Sequence, residues 1–349
     1  MTVTTRFARR TWLAGALAAP LALAACSGNG EGGGPGTSDD GGAGAGFTPV
    51  TLEHALGSAE ITEKPQRIVT LGQGSAETAV ALGRIPVGIE EYPWGADDTG
   101  YLPWIHEAVT EAGGELPEQF TGGTELDVEA VLALEPDVIL APWSGLTQEQ
   151  FDILTDIAPT VAYAEQPWVI TWQEQITTIG KALGEDEAAA SLIEEIHTTF
   201  EDSARPEYAD HTFSFIYNSG PGTLGVFYED EQRVAMVRAL GLTVDPVNQE
   251  LGEWDEPGTD SAMIGLENAD LLADSDLIFT FYSDESNRET IEAQDLYASI
   301  PAIEAGAVVA PTDQSFVTGS SIITPLTVPW ALERYVPMID EAIAKVSAS

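Results

Sequence analysis

A single cysteine, Cys26, leaves the chain no internal disulfide. Cations are scarce as well: 13 Lys and Arg stand against 57 Asp and Glu. That balance excludes nucleic acid as a partner, because affinity there comes from Lys and Arg neutralising phosphates. It also excludes electrostatic adhesion to anionic lipid, and reads as a solvated acidic surface that keeps the protein soluble. Long apolar runs are missing too. Leu13 to Ala25 falls short of the ~20 residues of a spanning helix, and no later run reaches that length. No P-loop and no G-x-S-x-G elbow occurs. His54, His106, His197 and His211 lie more than ten residues apart, so a metal site or a Ser–His–Asp triad would need convergence in space. "GPGTLG" (220–225) matches G-x-G-x-x-G, but the β-like "VFYED" follows it where a dinucleotide site needs a helix N-terminus. Pro221 also removes a backbone donor, so the segment reads as a loop at a strand end.

What is present begins with an export pattern. Arg6, Arg9 and Arg10 precede the apolar run, small residues precede Cys26, and no acid occurs before Glu31. Leu23-Ala24-Ala25-Cys26 resembles a bacterial lipobox, which implies cleavage after residue 25 and a lipid on the Cys26 thiol. Arg9-Arg10 resembles a twin-arginine motif, with Trp12 where Phe is usual. Residues 27–46 are half glycine and read as a flexible tether, because so few apolar groups cannot offset chain entropy. Removing residues 1–25 leaves ten basic residues against all 57 acids, a charge of about −47.

From Thr48 the chain alternates short β-rich runs with helical stretches. "RIVTLG" (67–72) is a buried strand, "SAETAVALG" (75–83) a helix closed by Gly83, and "VGI" (87–89) a strand. "DVEAVLALEPDVILA" (127–141) is a helix and then a strand, and residues 147–164 repeat that order. Such alternation indicates a parallel sheet with helices on its faces. Residues 186–204 differ. Ala189, Leu192, Ile193, Ile196 and Phe200 form one helical stripe, uninterrupted by Gly or Pro. The first pattern then returns: "GLENADLLADSDLIF" (265–279) echoes residues 127–140 one residue out of step, "GAVVAP" (306–311) is a strand, and a closing helix reaches Val346. The whole reads as an α/β lobe (47–184), a long linking helix (185–206) and a second α/β lobe (207–349).

Aromatic residues follow several strands: Trp94 in "YPWG", Trp143 in "APWSG", Tyr217 in "IYNSG", Tyr228 in the next loop and Tyr282 in "IFTFYS". In open α/β sheets ligands bind outside the carboxyl ends of the strands. These five residues are therefore candidates for one cleft lined from both lobes.

Taken in order, "KPQRIVTLGQGSAETAVALGRIPVGI", "DVEAVLALEPDVILA", "LTDIAPTVAY", "TWQEQITTIGKALGEDEAAASLI", "GLENADLLADSDLIF", "PAIEAGAVVAPTDQ" and "TPLTVPWALERYVP" resemble the iron–siderophore substrate-binding lipoproteins of ABC importers. That helical-backbone class also includes vitamin B12 binders. The resemblance spans about Thr48 to Val346. It implies two Rossmann-like lobes, each a mainly parallel sheet flanked by helices, joined by one rigid helix with the ligand between them. It implies a monomeric, exported binding protein, not an enzyme, held by lipid at the outer face of the cell membrane. It further implies delivery of a ferric siderophore to a permease and its ATPase, with docking through Glu129 and Glu267. Arginines often meet siderophore charge in this class; here Arg233 and Arg288 are the cleft candidates, while Arg84 lies on the far side of its helix. A neutral or cationic hydroxamate held by Trp and Tyr faces suits so acidic a chain. The alternatives are haem, which needs Tyr217 or Tyr228 turned into the cleft, cobalamin, or, from another class, a secreted two-lobed enzyme, for which no acid–base constellation is evident.

Overall fold

The computed structural model describes residues 47–254 and 259–346. The leader, Cys26 and the Gly-rich tether lie outside the described residues.

A hairpin of β1 (Val50–His54) and β2 (Gly57–Ile61) opens the first lobe. There β3 (Ile68–Thr70), α1 (Ser75–Ala81), β4 (Gly88–Glu90), α2 (Pro103–Glu111), β5 (Glu118–Phe120), α3 (Val128–Ala133), β6 (Val138–Leu140), α4 (Gln148–Thr155) and β7 (Thr160–Val161) alternate. The five strands run parallel in the order β5-β4-β3-β6-β7. Ile68, Val69 and Val138 to Leu140 are buried, as expected for short apolar strands covered on both faces. Side chains fix the helix starts: Asp127 accepts from the Ala130 amide, and Thr147 and Gln150 form a capping box.

Helix α5 (Trp172–Leu183) leads into α6 (Asp186–Ser203), the long element between the two sheets. Of its expected stripe, Ala189, Ile196 and Phe200 are buried, while Leu192 and Ile193 pack half-buried beside them.

The second lobe contains β8 (Thr212–Tyr217), β9 (Gly225–Phe227), α7 (Gln232–Ala239), β10 (Thr243–Val244), β11 (Ser261–Met263) and β12 (Leu277–Phe279). It continues with α8 (Glu285–Glu292), α9 (Asp295–Ala298), α10 (Pro301–Ala305), β13 (Val308–Val309), α11 (Gln314–Gly319) and α12 (Thr327–Val346). Strands β10, β8, β12 and β13 are parallel, and β9 and β11 add an antiparallel flank. Gly225 thus opens a strand rather than a helix, in keeping with the loop reading of "GPGTLG". The echo of α3 in residues 265–279 is incomplete. Leu266–Leu272 is a 3-10 segment broken at Asn268, whose side-chain amide donates to the Ile264 carbonyl. That local bond competes with helix formation.

The two lobes form one α/β unit and touch at α12, where Trp330 meets Trp104 of α2 edge-on at 5.1 Å. Among the described residues no helix is long and apolar enough to cross a membrane.

Candidate functional site

In the first sheet the chain moves outward from β3 to β4 and β5, then restarts on the other side with β6. The loops after β3 and β6 therefore diverge and leave a crevice. Gly72 follows β3 at φ 72°, and a Cβ there would come 1.7 Å from the Trp143 carbonyl oxygen. Only glycine allows this backbone-to-backbone contact, which fixes the loop bearing Trp143. The Trp143 ring meets Trp168 edge-on at 4.7 Å. Trp168 is 48% exposed and holds a left-handed φ of 64°, rare for a bulky residue. Its amide donates to the Ser144 carbonyl at 3.2 Å. Leu71, Glu90, Ser144, Leu146 and Trp168 line a small pocket beside it.

Carboxylates form the floor of this wall. Glu90 ends β4 and accepts from the Gly72 amide at 2.7 Å; burial raises its pKa, partly offset by that bond. Glu77, fully buried on α1, accepts from the Gly74 amide at 2.9 Å and the Trp104 indole at 3.0 Å. Burial raises its pKa too. Tyr92 is held well above the usual phenol range, by burial first and then by Glu90 and Glu77. Trp94 is 59% exposed, and a Cβ on the next residue, Gly95, would lie 2.7 Å from Thr318 Oγ1 of α11. Trp94 therefore stands on a turn that abuts the second lobe. Arg84 stays away from this wall, bonded to the Pro65 carbonyl with Glu185 at 3.7 Å.

The second sheet has its own switch between β8 and β12. Tyr217 ends β8, Phe281 follows β12, and Phe227 of β9 lies between them, with centroid separations of 4.8 and 6.5 Å. Arg233 lies over this row, 4.7 Å from the Phe227 centroid and 5.8 Å from that of Phe281. Its Nη1 donates to Glu231 at 2.5 Å and its Nε to Ser321 at 3.2 Å. Glu231 caps α7 through the Arg233 amide at 2.7 Å. Burial raises the Glu231 pKa, and Arg233 opposes the rise. Asn218, next after Tyr217, buries both amide atoms without a protein partner. Tyr217 shares a hydrogen bond with Ser261 at 3.0 Å, and Tyr228 packs half-buried against the core of this lobe.

Two expected cleft residues lie elsewhere. Tyr282 is 1% exposed and its hydroxyl meets that of Tyr297 at 2.8 Å, so it belongs to the core. Arg288 pairs with Glu292 along α8 at 2.8 Å and lines a separate groove with Glu304, Met338 and Lys345. Five contributors escaped the sequence reading. Phe227 is an ordinary strand residue, Phe281 sits two residues past a strand, Glu231 resembles any helix cap, Glu90 is an isolated acid at a strand end, and Trp168 lies in a loop without periodicity. The one available signal was the aromatic content of "EQPWVITW".

Glu129 and Glu267 are both exposed, on the first turn of α3 and of the 3-10 segment.

A profile of the periplasmic binding protein family matches residues 68–314. The chain is similar to the crystal structure of Streptococcus pneumoniae PiaA in complex with ferrichrome, with 29% identity and a TM-score of 0.75, covering 84% of this chain and 99% of that one. It is 25% identical to the ferric enterobactin-binding periplasmic protein FepB of Escherichia coli, over 63% of this chain and 70% of that protein. It is 30% identical to a cobalamin-binding protein of Halobacterium salinarum, over 50% of this chain and 47% of that protein. Two lobes with aromatic rows at their switch points, together with a family match over most of the described chain, lead to one conclusion: the chain belongs to the periplasmic binding protein family.

Proposed function

We propose that this protein captures a ferric siderophore outside the membrane and delivers it to an ABC importer. The carrying observation is the pair of aromatic walls, Trp143 with Trp168 on one lobe and Tyr217, Phe227 and Phe281 on the other. Each stands at a switch point, where an open α/β sheet holds its ligand. Flat aromatic faces suit a bulky chelate whose own donor atoms already satisfy the iron. On this reading the protein is a monomeric binder rather than an enzyme. Cys26 carries the lipid after removal of residues 1–25, residues 26–46 are the tether, and the lobes are 47–184 and 207–349, joined by 185–206. Glu129 and Glu267 meet the permease, and Trp94 lines the rim.

Cobalamin is the second reading, favoured by the Halobacterium relative. For haem, the Tyr217 hydroxyl is engaged by Ser261, which leaves Tyr228 as the candidate iron ligand.

The test is a tryptophan-fluorescence titration of residues 47–349. Ferric siderophores should quench saturably, with little response to the iron-free chelators, to bare Fe³⁺ or to cobalamin. Saturation by cobalamin alone would transfer the function to the second reading. Cys26→Ala should release the full chain from the membrane fraction; unchanged association without lipid label would defeat the anchor.

A further inference from the structure

The arginine in the second wall is cancelled on site. Arg233 is bonded by Glu231 at 2.5 Å, and their side chains are only 24% and 8% exposed. A pair so placed is poorly screened, so Glu231 subtracts most of the field that Arg233 would project over the Phe227 and Phe281 faces. Other arginines of this lobe are also matched: Arg238 with Glu229, Arg288 with Glu292 and Arg334 with Asp313. The facing wall contributes Glu77 and Glu90 but no cation among the residues that form it. The walls therefore offer aromatic faces and hydrogen-bonding groups without free positive charge.

We infer that Glu231 sets ligand charge selectivity: by neutralising Arg233 it makes the cleft admit neutral or cationic ferric chelates and reject anionic ones. The inference rests on the siderophore-binding reading and specifies its ligand class. Glu231 acts through Arg233, as a positioning and compensating group. The tris-catecholate and polycarboxylate classes, whose iron complexes are anionic, find no uncompensated cation here. A neutral trihydroxamate loses nothing by that, and one with a pendant ammonium gains from the acidic surroundings.

The experiment compares dissociation constants for ferrichrome, a neutral trihydroxamate, and ferric enterobactin, a trianionic tris-catecholate. Wild type should prefer ferrichrome. Glu231→Gln keeps a cap acceptor for the Arg233 amide but frees the guanidinium charge. It should shift the affinity ratio toward the trianion by about tenfold or more, the scale of one unit charge at short range in a partly buried site. Arg233→Gln leaves Glu231 uncompensated and should shift the ratio the opposite way. The double variant restores neutrality and should return near the wild-type ratio, an outcome that a purely structural role for the pair does not give. Wild-type preference for the trianion, or ratios within twofold across the folded variants, would overturn the inference alone. If Glu231→Gln fails to fold, the arginine and double variants decide. Failure of wild type to bind any ferric chelate would overturn the siderophore reading and this inference with it.

Discussion

In the first lobe Glu77 is buried and Glu90 half-buried with no cation beside them among the described residues, held by backbone amides and an indole N–H. In the second lobe the buried acid, Glu231, has a guanidinium at 2.5 Å and an aromatic row beneath it. Burial raises the carboxyl pKa in both walls, but the first offsets it with hydrogen bonds alone, whereas the second adds a counter-charge. The two walls also differ in how their loops are held. Gly72 locks the first against the Trp143 carbonyl, whereas the second leaves the Asn218 amide without a protein partner.

Substitutions at these two positions should therefore behave oppositely. Gly72→Ala forces a Cβ into backbone and should cost about 3 kcal/mol or more of stability in urea unfolding, with loss of binding. Asn218→Ala removes a buried unpaired group, so the free protein should be as stable or slightly more stable, while ligand affinity falls. A large stability loss at Asn218 would show that the amide already has a partner, and the contrast would fail.

The aromatic walls can be weighed next. Trp143→Ala and Trp168→Ala should each weaken chelate binding by about 1–3 kcal/mol, the range for aromatic and cation–π contacts. Trp94→Ala should cost less, because its ring is 59% exposed at the rim. Wild-type affinity in both wall variants, measured by calorimetry, would remove the first wall from the site.

Acidity probes the same contrast. The Glu77 pKa is raised from 4.5 by burial, so the folded state binds this proton more tightly than the unfolded chain. Stability from this group is thus greatest below 4.5 and declines as pH rises toward its folded value. Glu77→Gln should cost about 1–2 kcal/mol near neutrality, since an amide N–H then faces a donor. It should also flatten the stability–pH curve above 4.5. An unchanged slope in chemical unfolding at several pH values would show that Glu77 ionises normally.

The lobes were legible in the sequence because their strands are short apolar runs and their helices carry caps. β3 and β6 fall where the runs "RIVTLG" and "DVIL" predicted them, and α6 follows its stripe. The site was less legible. Whether Phe281 or Tyr282 faces the opening depends on one residue of register, and it is Phe281 that is turned toward Phe227 while Tyr282 enters the core. Trp168 is placed by a left-handed backbone that no periodicity announces. The Glu231–Arg233 pair spans two residues, a spacing that faces no pair on a regular helix; it closes because Glu231 is a non-helical cap.

The smallest expected effect in vitro concerns two exposed helix-start acids, one in each lobe. Glu129 and Glu267 are exposed acids on matching first turns, one α-helical and one 3-10. Rim charges act on encounter and register more than on fold stability, and an exposed acid at a helix start contributes about 0.3–1 kcal/mol through the macrodipole. The short, broken 3-10 segment has a weaker dipole than α3. Glu267→Ala should therefore lower the melting temperature even less than Glu129→Ala. The double Ala variant should keep chelate affinity while reducing iron uptake in cells. Lys at both positions should reduce uptake further, because a partner cation would then face like charge. Normal uptake by the Ala double variant would leave both acids as helix-start residues only. Loss of chelate affinity would instead mean that the opening between the lobes lies beside these turns rather than at the strand ends.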